Sequence, residues 1–143
     1  MADVVIGYGA KVSFKIGAGV ATFLAEVTSV GLPNPQISDV DATHFESPGR
    51  AREYIPGLIE NGEIPIGINF DAGSVTDALI NDAMAETAPI TVAITVPTST
   101  GVDETFTFPG IVKGYEKSIP IDDRQTATVT IRVAGAVTQA PAA

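Results

Sequence analysis

Apolar and polar residues alternate with a period of two over five stretches of this chain. Each alternation predicts a β-strand with one buried face and one wet face. Val12, Phe14 and Ile16 oppose Lys11, Ser13 and Lys15, and Ile64, Ile66, Ile68 and Phe70 oppose Glu63, Pro65, Gly67 and Asn69. Ile90, Val92, Ile94 and Val96 oppose Thr91, Ala93 and Thr95, while Phe106 and Phe108 oppose Thr105 and Thr107. Ala127, Val129, Ile131 and Val133 oppose Thr126, Thr128, Thr130 and Arg132. Half-wet strands belong to antiparallel sheets. Val20 to Val30 and Ile37 to Phe45 alternate less cleanly and read as two further strands. One segment departs from the pattern. Ser74 and Asp77 stand at the spacing of a helix cap, Val75, Ala78, Leu79 and Ala83 follow on one helical stripe, and Pro89 stops the run. This predicts an amphipathic helix over about 75–86 that covers an open side of the β core. The expected fold is mainly β, an antiparallel β-sandwich or barrel with one flanking α-helix.

A chain of 143 residues makes one domain, placed at 1–134, with a small and nearly uncharged tail at 135–143 expected to fray. The stretch 46–57, ESPGRAREYIPG, carries two prolines and two glycines and reads as a long charged loop between strands. Loops of that length are commonly functional. The polar strand faces are mostly Thr, with few Lys or Glu. Edges so lightly guarded predict pairing with a neighbouring chain, unless loops cover them.

Composition narrows the chemistry. Cysteine and tryptophan are absent and His44 is the single histidine. Disulfides, thiolate nucleophiles, cysteine-based zinc sites and a two-histidine metal site within one chain are thereby excluded. His44, beside Phe45, reads as a structural or surface residue. Gly7-Tyr8-Gly9 and Gly17-Ala18-Gly19 begin like a dinucleotide fingerprint, but Val12 and Thr22 stand where the third glycine belongs, so both read as turns. Asp39-Val40-Asp41 begins like a calcium loop, yet His44 and Arg50 occupy its sixth and twelfth positions. Glu60 and Glu63 should point to opposite faces of a strand, unsuited to paired acid–base work. Asp122-Asp123 before Arg124 reads as a polar hairpin turn. No catalytic, cofactor-binding or metal site is predicted, and an enzyme is the least expected reading. The net charge is −9; residues 1–36 are neutral, 37–110 carry −10 and 111–143 carry +1. An acidic middle does not grip phosphates, although nucleic acid can pass it. The sequence shows no apolar run of membrane-helix length and no leader pattern, so synthesis in a cytoplasm and no membrane binding are expected.

One stretch carries more. In Asp39 to Asp71, Thr43-His44 leads into Ser47-Pro48-Gly49, followed by Arg52-Glu53-Tyr54, Pro56-Gly57-Leu58, and Gly62-Glu63 ahead of an alternating strand. This segment resembles the major tail tube proteins of long-tailed bacteriophages with non-contractile tails and of related gene transfer agents. The resemblance implies a virion protein, assembled in the host cytoplasm, whose protomers join edge to edge into hexameric rings stacked as a tube. Such a tube encloses a tape-measure protein, meets tail-tip or initiator proteins and a tail terminator at its ends, and conducts DNA without binding it specifically. On that reading Arg50, Arg52, Glu53, Tyr54 and Ile55 are candidates for contact with the adjacent ring. Asp39, Asp41, Glu63 and Asp71 are candidates for lining the lumen. No cofactor is implied. The competing expectations are a minor tail protein, a head–tail joining protein, or a glycan-binding β-sandwich module, the last disfavoured by an aromatic content of 6%.

Overall fold

The computed structural model describes residues 9–141. Ten strands and one helix follow in the order β1 (Lys11–Lys15), β2 (Thr22–Phe23), β3 (Val27–Val30), β4 (Gln36–Asp41), β5 (Tyr54–Glu60), β6 (Glu63–Asn69), α1 (Val75–Ala85), β7 (Ile90–Val96), β8 (Glu104–Ser118), β9 (Thr126–Val133) and β10 (Thr138–Pro141). Eight strands form one antiparallel sheet in the order β2-β1-β7-β8-β9-β6-β3, with β10 added on β8; β4 and β5 form a separate two-stranded ribbon. The terminal strands β2 and β3 are consecutive in sequence. The Leu24 N–H, between them in the chain, donates to the Val12 carbonyl of β1 at 2.9 Å, and β3 returns against β1, so the sheet curls into a nearly closed barrel.

The alternation places the core. Val12, Phe14, Ile64, Ile66, Ile68, Val92, Ile94, Phe108, Val129 and Ile131 are fully buried, and each contributes roughly 1.5–3 kcal/mol by leaving water. Ile80 of α1 joins them. Residues Glu104 to Gly110 of β8 pair with β7, and Gly110 to Ser118 pair with β9 across a register shift between Val112 and Gly114. Gly110 sits at this change of partner. A Cβ there would lie 2.8 Å from Ile131 Cγ2 and 3.1 Å from Val92 Cγ2, so only glycine fits.

Several expectations need correction. The Val20–Val30 run is two short strands, because Glu26 adopts φ 55 and the Ala25 N–H turns inward to the Thr76 hydroxyl at 2.9 Å. The Ile37–Phe45 run stops at Asp41, where the Thr43 N–H bonds back to the Asp41 carboxylate at 2.9 Å. The 46–57 loop ends at Glu53, since Tyr54 to Gly57 belong to β5 and pair with β4. The helix buries Thr76, Ile80 and Ala83 instead of a stripe through Val75 and Ala78; Val75 is 75% exposed. The tail is not frayed over its described part, because β10 lengthens the edge of β8 opposite Glu104 to Thr107. Gly7 and Tyr8 of the expected first turn, and the ends of the expected domain and tail, lie outside the described residues.

The Thr-faced strands do not leave their ladders open. β7 lies between β1 and β8, β9 between β8 and β6, and β6 between β9 and β3. Their threonines face outward from the sheet, as where the Thr95 and Thr105 hydroxyls meet at 3.2 Å across β7 and β8. Among the described residues, single-partnered ladder remains on β8 past Gly110, on β10, on the short β2 and β3, and along the β4–β5 ribbon.

Candidate assembly surfaces

The β4–β5 ribbon is an arm. It pairs only with itself and makes no extended contact with any barrel element. Ile37 faces Ile59 and Val40 faces Ile55 across the ribbon. Side chains alternate along a strand, so these two apolar pairs lie on opposite faces. All four are exposed, as are Tyr54 and Leu58, the latter 88%. An apolar surface of this size without a partner in its own chain marks an interaction site.

The tip of the arm is held by short-range hydrogen bonds. The Ala42 N–H donates to the Glu53 carbonyl at 2.8 Å, and the Glu53 N–H donates to the Thr43 hydroxyl at 2.8 Å. The Ser47 hydroxyl donates to the Glu53 carboxylate at 2.6 Å, and His44 Nε2 approaches the same oxygen at 3.2 Å. Nδ1 of His44 accepts from the Glu46 N–H at 3.1 Å, which fixes the tautomer with its proton on Nε2. His44 thus ties the tip together, as a structural residue should. Asp41 is held below the ordinary carboxylate range, chiefly by the Thr43 hydroxyl and then its N–H, with the Arg52 guanidinium at 3.4 Å adding less. Arg50 follows Gly49, both with positive φ (60 and 64), and has no ion-pair partner among the described residues. Phe45 is fully exposed.

At the arm's root, charges alternate across four strands. Arg132 of β9 pairs with Glu60 of β5 and lies 4.0 Å from Glu63 of β6, which pairs with Lys113 of β8. Glu60 and Glu63 are therefore not on opposite faces of one strand. They sit on consecutive strands, and the turn at Gly62 (φ 73) brings both to Arg132. Lys113 is the main cause of a lowered Glu63 pKa. Beside this cluster the Asn61 amide donates to the Gly135 carbonyl at 3.2 Å. The two segments enclose an open groove of about 680 Å³, lined by Pro35, Ile59, Asn61, Val133, Ala136 and Val137 among others.

The other end of the β6–β9 ladder carries a different surface. Glu63 faces Arg132 at the root, and Asn69 faces Thr126 six steps away, about 20 Å at strand spacing. There the turn between β8 and β9 holds Asp122, Asp123 and Arg124, as the sequence predicted, behind two exposed isoleucines, Ile119 (64%) and Ile121 (103%). Close by, Asp77 of α1 accepts from the Tyr115 hydroxyl at 2.9 Å and from the Gly73 N–H at 3.1 Å.

The structure brings Arg50, Arg52, Glu53, Tyr54 and Ile55 onto one arm, with Arg52 and Glu53 already engaged inside it. It does not bring the four candidate lumen acids together. Asp39 and Asp41 are on the arm, Glu63 is at the root, and Asp71 is at the far end of β6. Sequence reading missed the groove and the isoleucine tip. Ile119-Pro120-Ile121 was visible as an apolar run before a turn, while the groove joins residues far apart in the chain.

A family model described as "Lambda phage tail tube protein, TTP" matches residues 11–140. No curated protein sequence is matched. Among solved structures, the tail of an empty gene transfer agent particle refined with C6 symmetry is similar at 17% identity and TM-score 0.73, covering 94% of this chain and 98% of that one. The SPP1 tail tube is similar at 13% identity and TM-score 0.71, covering 97% and 80%. A chain of the anti-feeding prophage baseplate is similar at 9% identity and TM-score 0.72, covering 98% and 97%. At these identities the likeness is one of fold.

Proposed function

Because the chain belongs to the lambda phage tail tube protein family, we propose that its copies close into rings of six and that the rings stack into the tube of a long, non-contractile tail. Membership makes it a structural protein of a phage tail and a component of the virion. The tube encloses a tape-measure protein during assembly and then conducts DNA into the host. Its ends meet the tail-tip or initiator proteins and the terminator. No bond is made or broken by this chain.

What supports ring stacking is the arm, rooted at one end and apolar on both faces. It reaches the adjacent ring through Tyr54 and Ile55, with Arg50 as its unpaired cation. Arg52 and Glu53 hold the tip in shape. Of the lumen candidates, Asp39 and Asp71 have no ion-pair partner among the described residues and supply wall charge most directly; Asp41 and Glu63 are partly compensated by Arg52 and Lys113.

Asp41 and Tyr54 face each other in register, so residues 42–53 can be replaced by Asn-Gly, a two-residue hairpin turn. The shortened chain should keep its barrel and its melting temperature. Negative-stain microscopy should show hollow cylinders of uniform diameter for the wild type and none of length for the variant. Normal tubes from the variant remove the tip from stacking, and a wild type that stays dispersed at every concentration removes the tube.

A further inference from the structure

Stacking by repetition sets one end of a copy against the opposite end of the next, so the mating surfaces differ and must complement each other. Two features at opposite ends of the β6–β9 ladder fit that requirement. We infer that the Ile119-Pro120-Ile121 tip of one copy seats in the arm-root groove of a second copy, an inference that rests on the tube reading.

Shape comes first. The tip is a turn that carries two exposed isoleucines, Ile121 wholly so, while the groove is open, about 680 Å³, and walled by Pro35, Ile59, Val133 and Val137. A pocket of that volume accepts several aliphatic side chains. Charge agrees. The charged residue among those lining the groove is Glu60, which Arg132 beside the rim already pairs, and Asp122, Asp123 and Arg124 behind the tip have no ion-pair partner among the described residues. Arg124 then approaches Glu60, which extends the alternation already present at the root. Reach excludes the trivial alternative, because the tip lies about 20 Å along the ladder from its own groove. The Asn61–Gly135 hydrogen bond joins the two walls and keeps the groove formed before anything occupies it. The arm projects from the same root, so a seated tip places the arm of the second copy alongside the first.

The chain contains no cysteine, so an engineered pair reads the contact directly. The double variant Ile121→Cys with Ala136→Cys, assembled into tubes and mildly oxidised, should give a ladder of disulfide-linked multimers on non-reducing gels. Either single variant should leave monomers. Ile121→Asp should keep the wild-type melting temperature and shorten tubes at least tenfold, toward single rings. Tubes from the double variant with no ladder, or full-length tubes from Ile121→Asp, overturn the seat and leave the tube role standing. Failure of the wild type to form any cylinder overturns the tube role itself.

Discussion

Asp77 shows how a single side chain pins the helix to the barrel. It caps the loop before α1 through the Gly73 N–H and receives the Tyr115 hydroxyl, while Lys117 stacks 4.5 Å over the Tyr115 ring. The Gly73 N–H first and the Tyr115 hydroxyl second lower the Asp77 pKa. Burial pushes the Tyr115 hydroxyl up, so it stays a donor. A lowered carboxylate pKa adds stability above its unfolded value near 3.9, and that stability is lost as pH falls through the folded value. Urea melts of the wild type should therefore weaken below about pH 4, with a flatter acid limb in Asp77→Asn. Tyr115→Phe deletes a bond to a charged acceptor and should cost about 1.5 kcal/mol at neutral pH. Gly110→Ala meets Ile131 and Val92 and should cost about 1–3 kcal/mol by overpacking, read by thermal melting. Residue roles were unevenly legible. His44 was read as structural because it is the single histidine and stands beside Phe45, whereas its meeting with Ser47 and Glu53 at the arm's tip was not legible. Nor was the meeting of Glu60 and Glu63 at Arg132, because it depends on a turn at Gly62 that alternation does not encode.

Elements with a regular period were legible and those shaped by their neighbours were not. The strands around Ile66, Val92 and Val129 stand where the alternation put them, since one buried face fixes register throughout. The second half of β8 escaped notice because Pro109, Gly110 and Gly114 interrupt its pattern and the register shifts there. The helix was placed within a residue at each end by Ser74 and Pro89, yet its buried stripe is turned, because Thr76 must meet the Ala25 N–H. Ile80→Asp should unfold the domain, whereas Val75→Asp on the exposed side should change stability by less than about 0.5 kcal/mol, a contrast visible in one pair of melts. Half of the arm, β4, fell within the expected Ile37–Phe45 strand, but the start of β5 was read as loop because Pro56 and Gly57 look like breakers. In an edge strand without a second neighbour, Pro56 deprives no ladder of a needed donor.

For the whole molecule, closure of the sheet was the least legible property. Light guarding of strands by charge suggested edges open to sister copies, but β1, β7, β8, β9 and β6 mostly satisfy one another. The acidic balance acts at this scale. In the proposed ring of six, copies at −9 would carry −54 formal charges, felt within about 8 Å of the wall at physiological salt. Asp39→Lys with Asp71→Lys should leave tubes intact and slow genome delivery, measured as infectivity of assembled particles; unchanged infectivity would take these two acids off the wall. The β4–β5 ribbon has a last consequence. A lone two-stranded hairpin is marginal in water, so its amides should exchange far faster than those of β6 and β9 in the dispersed protein. Ordering it is a toll on every first encounter between subunits and a sunk cost at the end of an existing cylinder. Growth should then start after a lag that added fragments abolish, which lets a cell stockpile free subunits and spend them only where a tail has begun.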